Sequence, residues 1–144
     1  AVLAVSRMQW WVGIGVLLSE AASQGVIELI KLVFQRARPD YWIVYHESGF
    51  SYPSGHASTA IVFFGSWLLI VLMSPLPKAV RYASGAIILA WMVGIDWSRL
   101  ALGAHYATDV LGGTLFGIAW VGALLAVLAH FGLTAALNRR LSGV

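Results

Sequence analysis

The chain has 144 residues, of which 60% are hydrophobic and only 10% are charged, and its mean hydropathy is +0.82. A soluble domain carries charge on about a quarter of its residues, so this composition excludes an ordinary soluble protein and predicts helices in a membrane. The absence of cysteine excludes disulfides and thiolate metal sites. The net charge of +3 comes from basic residues at predicted helix ends, which favours a membrane surface or an anionic headgroup as partner over nucleic acid.

Four apolar segments are each long enough to cross about 30 Å of hydrocarbon. They run from about Met8 to Phe34, from near His56 to Met73, from about Ala79 to Ile95, and from about Tyr106 to Leu133. The link between the second and third segments is short and contains two prolines, so these helices should be antiparallel neighbours. The long loop lies between Arg38 and Tyr52. We therefore predict an all-α integral membrane bundle with four transmembrane helices, formed by residues 1–144 as a single domain.

The first predicted helix carries an unusual polar face. Glu20, Gln24, Glu28 and Lys31 are spaced so that they share one side of a helix. Ionisable groups at membrane depth are costly and usually face a bundle interior or a wet cavity. Lys31 either pairs with Glu28 in a purely structural arrangement or, together with Arg38, contributes positive charge to a site. We interpret Glu20 and Glu28 as structural.

The sequence Pro53-Ser54-Gly55-His56 stands at the predicted start of the second helix. A helix N-terminus offers unpaired backbone N–H groups and a positive dipole end, which together favour an anion. Ser54 is a good cap, and Gly55 allows close approach of a ligand to the backbone. The alternative is that these residues only begin the helix.

A third polar cluster precedes and opens the last helix. His105 and Asp109 are four residues apart, so the carboxylate can accept the ring N–H of the imidazole and orient it. Arg99 supplies a planar, permanently charged fork suited to phosphate oxygens. The pair could instead cap the helix. A metal site is disfavoured, because His46 and Glu47 belong to the loop and His130 to the far end of the helix.

These three clusters, with Lys31-x6-Arg38-Pro39, Pro53-Ser54-Gly55-His56 and Ser98-Arg99-x5-His105-x3-Asp109, resemble in order and spacing the three motifs of the type 2 phosphatidic acid phosphatase (PAP2) superfamily. The flanking sequences Glu47-Ser48-Gly49-Phe50-Ser51-Tyr52 and Leu102-Gly103 are similar to bacterial membrane-bound members. Such members act on phosphatidylglycerophosphate, phosphatidic acid or undecaprenyl pyrophosphate. They usually have six membrane helices, so the resemblance implies that two N-terminal helices are missing here.

The resemblance also implies a role for each motif residue. His105 would attack phosphorus to give a phosphohistidine, Asp109 would hold its ring, and His56 would protonate the leaving oxygen and then activate water. Phosphate would be held by the motif cations and by the start of the second helix, namely by Lys31, Arg38, Ser54, Gly55 and Arg99. No metal or cofactor is expected. The alternatives are a lipid phosphotransferase, a catalytically silent lipid-binding or transport module, and a soluble relative, which the apolar segments disfavour.

Basic residues outside the motifs predict the orientation. With alternating helices, five lie on the side opposite the motifs, namely Arg7, Lys78, Arg81, Arg139 and Arg140, against Arg36 alone on the motif side. The positive-inside rule then places the motifs outside the cytoplasm, in a bacterial cytoplasmic membrane. Gly113 and Gly117, spaced as small-xxx-small, predict close helix packing. The oligomeric state is not predicted.

Overall fold

The computed structural model describes residues 10–41 and 48–132. These residues form helices α1 (Trp10–Phe34), α2 (Gly55–Thr59), α3 (Ser66–Met73), α4 (Lys78–Ala101) and α5 (Ala107–His130), with a π-helical segment (Ala60–Gly65) joining α2 to α3. The described residues contain no strand, so the predicted all-α class is confirmed. The predicted limits Met8 and Leu133 lie outside the described residues.

Helix α1 ends in a left-handed cap. Gln35 has a φ of 45°, and its N–H donates to the carbonyl of Lys31 over 2.9 Å, which satisfies one of the last carbonyls of the helix. Beyond this cap, the N–H of Ser51 donates to the carbonyl of Arg36 over 2.8 Å. The segment after α1 is thereby tied to the segment before α2.

The second apolar segment is continuous from Gly55 to Met73 through its π-helical part. It ends at Ser74, whose hydroxyl donates to the carbonyl of Val71 over 2.6 Å, and Pro77 is the N-cap of α4. Close packing across this turn is visible at Gly85 of α4, where an added Cβ would lie 3.3 Å from both Leu68 and Leu72 of α3. The predicted pairing of these two helices as neighbours is confirmed.

Helix α4 continues to Ala101, beyond the predicted end at Ile95. No glycine or proline interrupts the chain between these residues, and the helix stops only before Gly103, whose φ is +68°. Ser98 and Arg99 therefore belong to the last turns of α4, and the sequence prediction of this boundary was wrong.

Glycines allow α5 to lie against the start of the second segment. A Cβ on Gly113 would collide with the carbonyl oxygen of Ser54, and one on Gly117 would lie 2.7 Å from Cβ of Ile61. Both glycines are buried. The small-residue spacing therefore marks close packing, as predicted, and brings the start of α2 against the first turns of α5.

Three helical segments in the described part of the chain are long and apolar enough to cross a membrane, namely Gly55–Met73, Lys78–Ala101 and Ala107–His130. Helix α1 has 25 residues, about 37 Å at 1.5 Å per residue, but its polar face lowers its hydropathy and it is not among the three. The count by length and composition is thus three rather than the four predicted. Large apolar side chains such as Leu29, Ile87 and Trp91 are exposed, as a hydrocarbon solvent requires.

Candidate active site

The site lies where four helix ends meet: the end of α1, the start of α2, the end of α4 and the start of α5. The N–H of Ser54 donates to the carbonyl of Asp109 over 2.9 Å, which joins the starts of α2 and α5. The carbonyl of Arg99 accepts the N–H groups of Ala104 and His105 over 3.0 and 3.3 Å, which fixes the turn after α4. All three sequence clusters are thereby brought to one end of the bundle.

His105 and Asp109 form a buried pair. His105 Nδ1 lies 3.6 Å from Asp109 Oδ2, and the two side chains are 1% and 0% exposed. His105 precedes α5 instead of lying on it, so helical spacing does not make this contact. Asp109 Oδ2 instead accepts the N–H of Tyr106 over 2.9 Å, folding the carboxylate back toward His105. The carboxylate caps α5, as the capping interpretation expects, and the same group lies beside the imidazole, whereas its orienting role stays a prediction.

Arg38 sets the tautomer of His105. Arg38 Nη1 lies 3.1 Å from His105 Nε2. A guanidinium can only donate, so Nε2 accepts and the ring proton is assigned to Nδ1, facing Asp109. Arg38 is held in place by the backbone carbonyls of Ala104 and Gly49, at 3.0 and 3.2 Å. The lone pair of Nε2 is therefore directed at a permanent cation.

The ammonium group of Lys31 lies between the carboxylate of Glu28 and the start of α2. Its Nζ is 2.7 Å from Glu28 Oε1, with Glu28 64% exposed and Lys31 only 14%. An added Cβ on Gly55 would lie 3.9 Å from the same Nζ. The ion pair with Glu28 is thus present. It leaves the ammonium beside the N-terminus of α2, where it can also contribute positive charge to a site.

The remaining predicted residues occupy the same end of the bundle. Ser54 is fully buried and caps α2, with its Oγ accepting the N–H of Ala57 over 3.4 Å. His56 is exposed in the first turn of α2. Arg99 is half-buried, and its Nε donates to Ser98 Oγ over 3.1 Å.

Two residues at the site were missed from the sequence. Arg36 Nη1 lies 2.8 Å from Asp109 Oδ1, and the buried hydroxyl of Ser51 donates to Asp109 Oδ2 while lying 3.5 Å from His105 Nδ1. The available signals were the spacing of Arg36 two residues before Arg38 and the serine two residues before Pro53. With these two residues, the pair of His105 and Asp109 becomes part of a polar network centred on the carboxylate of Asp109.

A second polar network connects the middle of α1 to the end of α2. Glu20 Oε1 accepts the hydroxyl of Thr59 over 2.6 Å and the amide of Gln24 over 3.1 Å. Gln24 also donates to Thr59 Oγ1 over 3.0 Å. These bonds satisfy polar groups near the middle of α1 and support the structural interpretation of Glu20.

Among residues 10–41 and 48–132, no group of three or more histidine, aspartate or glutamate side chains is placed to hold a metal ion. His46 and Glu47, considered as ligands from the sequence, lie outside the described residues. The described part of the site holds the cations of Arg36, Arg38 and Lys31 and the imidazole of His105. Fixed cations stabilise the charge that spreads over phosphoryl oxygens during transfer.

Fold and site together define an integral membrane helical bundle with a buried histidine–aspartate pair and several cations at one end. The chain belongs to the PAP2 superfamily, whose family model matches residues 12–132. The resemblance seen in the motifs is thus confirmed.

Relatives of the chain are lipid phosphatases by name. It is 33% identical over 110 residues to phosphatidylglycerophosphatase B of Bacillus subtilis, covering 75% of this chain and 54% of the relative. It is 31% identical over 128 residues to lipid A 1-phosphatase of Rhizobium johnstonii, covering 82% of this chain and 48% of the relative. The chain therefore spans about half the length of these relatives.

The fold also matches a solved structure. The crystal structure of a transmembrane PAP2-type phosphatidylglycerolphosphate phosphatase from Bacillus subtilis aligns with a TM-score of 0.66 and 30% identity. The alignment covers 81% of this chain and 61% of that one. This match supports the helical membrane architecture described above.

Proposed function

We propose that the chain carries the catalytic site of a lipid phosphatase, which hydrolyses a membrane lipid phosphate or pyrophosphate through a phosphohistidine intermediate. The observation that carries this proposal is the buried imidazole of His105, with Nδ1 toward Asp109 and the lone pair of Nε2 beside Arg38. The names of the relatives support a lipid phosphate as substrate.

In the first half-reaction, the N–H of Arg38 passes its hydrogen bond from His105 Nε2 to a phosphoryl oxygen, and the freed lone pair of Nε2 forms a bond to phosphorus as the bond from phosphorus to the lipid oxygen breaks. His56 donates a proton to the departing oxygen, so the lipid leaves as an alcohol, or as a lipid monophosphate when the substrate is a pyrophosphate. Asp109 stabilises the positive ring that results, because its buried carboxylate faces Nδ1.

In the second half-reaction, water attacks the phosphohistidine. His56, now neutral, takes a proton from the water as the new oxygen–phosphorus bond forms and the bond from phosphorus to Nε2 breaks. Inorganic phosphate is released, and His105 returns to its neutral form. Exposure of His56 in the first turn of α2 is consistent with exchange of this proton with solvent.

The cations and the start of α2 bind the phosphoryl group. Arg38 already lies at the attacking nitrogen, and Lys31 lies beside Gly55 at the N-terminus of α2. Arg99, at the end of α4, completes the set, with the hydroxyl of Ser54 and the N–H of Gly55 contributing hydrogen bonds. Fixed positive charge of this kind supplies the electrostatic stabilisation of the reaction without requiring a metal.

An assay of phosphate release tests this function. The full chain in detergent is given phosphatidylglycerophosphate, phosphatidic acid or undecaprenyl pyrophosphate, with and without excess chelator. We expect release from at least one lipid at the same rate in chelator. A protein that unfolds cooperatively on heating but releases no phosphate would contradict the function. Loss in chelator that a divalent ion restores would contradict the metal-independent mechanism alone.

We further propose that the site faces the extracytoplasmic side of a bacterial cytoplasmic membrane. Lys78 and Arg81 lie at the opposite end of the bundle from the site, whereas Arg7, Arg139 and Arg140 lie outside the described residues. Arg36, counted as the one non-motif basic residue on the motif side, contacts Asp109. A cation that serves the site says little about insertion, so Arg36 does not count against this orientation.

Single cysteines test the orientation, because the chain has none of its own. Ser48→Cys, at an exposed position beside the site, should react with an impermeant thiol reagent in intact cells. Pro75→Cys, at an exposed position in the turn before α4, should react only after permeabilisation; Ser74 is unsuitable because it is 9% exposed. The reverse labelling pattern would contradict the orientation and leave the catalytic roles unchanged.

A further inference from the structure

Arg36 lies outside the family motifs, yet its side chain contacts the most buried charged residue of the site. Asp109 is 0% exposed, and its Oδ2 is engaged by neutral donors, the hydroxyl of Ser51 and the N–H of Tyr106. A buried carboxylate is costly unless a cation balances it. Arg36 Nη1, 2.8 Å from Oδ1, supplies that positive charge.

Within the described part of the chain, the side chain of Arg36 contacts the start of α5. The same Nη1 donates to Thr108 Oγ1 over 2.6 Å, and the guanidinium lies 4.2 Å from the centre of the Tyr106 ring. These contacts and the one with Asp109 all fall within the four residues from Tyr106 to Asp109. Arg38, two residues further on, faces His105 Nε2 on the other side of the imidazole.

We propose that Arg36 is a positioning residue that acts on His105 through Asp109, with no contact to the substrate. It occupies Oδ1 and so fixes the plane of the carboxylate, which leaves Oδ2 facing His105 Nδ1. The two arginines have different roles. Arg38 contacts the nucleophilic nitrogen of His105 and binds the phosphate, whereas Arg36 contacts the carboxylate of Asp109, which faces the other ring nitrogen. The kinetic part of this inference rests on the proposed function.

A double-mutant cycle tests the proposal. In the wild-type background, Arg36→Gln should lower kcat by about 10- to 100-fold with KM nearly unchanged, because only the orientation of the nucleophile is disturbed. Arg36→Lys, which keeps the charge, should recover much of the loss. In the Asp109→Asn background, Arg36→Gln should cause little further loss, since the residue through which it acts is already altered.

Thr108→Ala provides the matched control, because it removes the other hydrogen-bond partner of the same Nη1. It should leave kcat within about twofold of the wild-type value if the contact with Asp109 is the one that matters. An equal loss from Arg36→Gln in the wild-type and Asp109→Asn backgrounds would overturn the proposal and indicate a role in folding. A rise in KM that persists in both backgrounds would also overturn it and indicate phosphate binding.

A second readout does not depend on catalysis. The ring-nitrogen chemical shifts of His105 in ¹⁵N-histidine-labelled protein, assigned with His105→Ala, report the tautomer and the environment of the imidazole. Arg36→Gln should move these shifts in the wild-type background and much less in Asp109→Asn, whereas Thr108→Ala should not move them. Absence of phosphate release by the wild-type chain would reject the proposed function, while equal shifts in both backgrounds would reject the role of Arg36.

Discussion

Replacement of His105 by alanine is expected to abolish lipid phosphate hydrolysis. The imidazole presents Nε2 beside Arg38 and Nδ1 toward Asp109, and alanine offers no atom that could form a bond to phosphorus. Loss of a covalent nucleophile lowers kcat by about 10⁴-fold or more, because the remaining groups bind the substrate without attacking it. The measurement is kcat for phosphate release by purified protein in detergent, together with a search for phosphoenzyme trapped by acid-free quenching.

His130→Ala is the matched control. His130 is also associated with α5 but is its last residue, exposed and at the end opposite the site. The same substitution there should leave kcat within about twofold of wild type. Near-normal hydrolysis by a folded His105→Ala protein would contradict the phosphohistidine mechanism. An equal loss of kcat in both variants would indicate damage to the folded bundle instead of loss of a nucleophile.

The helical architecture could be predicted because it depends on patterns that are local in sequence. Long apolar segments bounded by prolines and glycines predicted the helices, and the short turn before Lys78 predicted the pairing of α3 with α4. The end of α4 was predicted too early, because the apolar segment ends at Ile95 and polarity alone does not end a helix. Nothing there breaks the helix, which continues to Ala101.

The site could be predicted only where residue type and spacing carry the chemistry. His105, Asp109 and Arg38 were predicted to belong together, and they lie within hydrogen-bond or ion-pair distance of one another through His105. Arg36 and Ser51 could not be assigned in this way. An arginine beside a helix end and a serine in a loop acquire their role only when tertiary packing places both against one buried carboxylate. The functional roles of the site residues stay predictions.

Replacement of Asp109 by asparagine is the most informative change after that of the nucleophile. The carboxylate oxygens accept from Arg36, Ser51 and the N–H of Tyr106 while Oδ2 faces His105. An amide has one accepting oxygen, so its NH₂ group must face either a donor or the imidazole. When it faces Nδ1, the ring proton is driven to Nε2 and the attacking lone pair is lost. We expect kcat to fall by about 10²- to 10⁴-fold, with a smaller change in KM.

Asp96→Asn is the control, since it makes the same substitution at a half-buried carboxylate of α4. Asp96 Oδ2 accepts the hydroxyl of Thr114 over 3.3 Å, and its buried Oδ1 has no hydrogen-bond partner among the described residues. An amide oxygen can keep the bond with Thr114, so kcat should stay within about twofold of wild type. The shifts of the His105 ring nitrogens should move in Asp109→Asn and not in Asp96→Asn. If Asp109→Asn loses activity while those shifts stay in place, Asp109 acts on folding or on the substrate and does not orient the nucleophile.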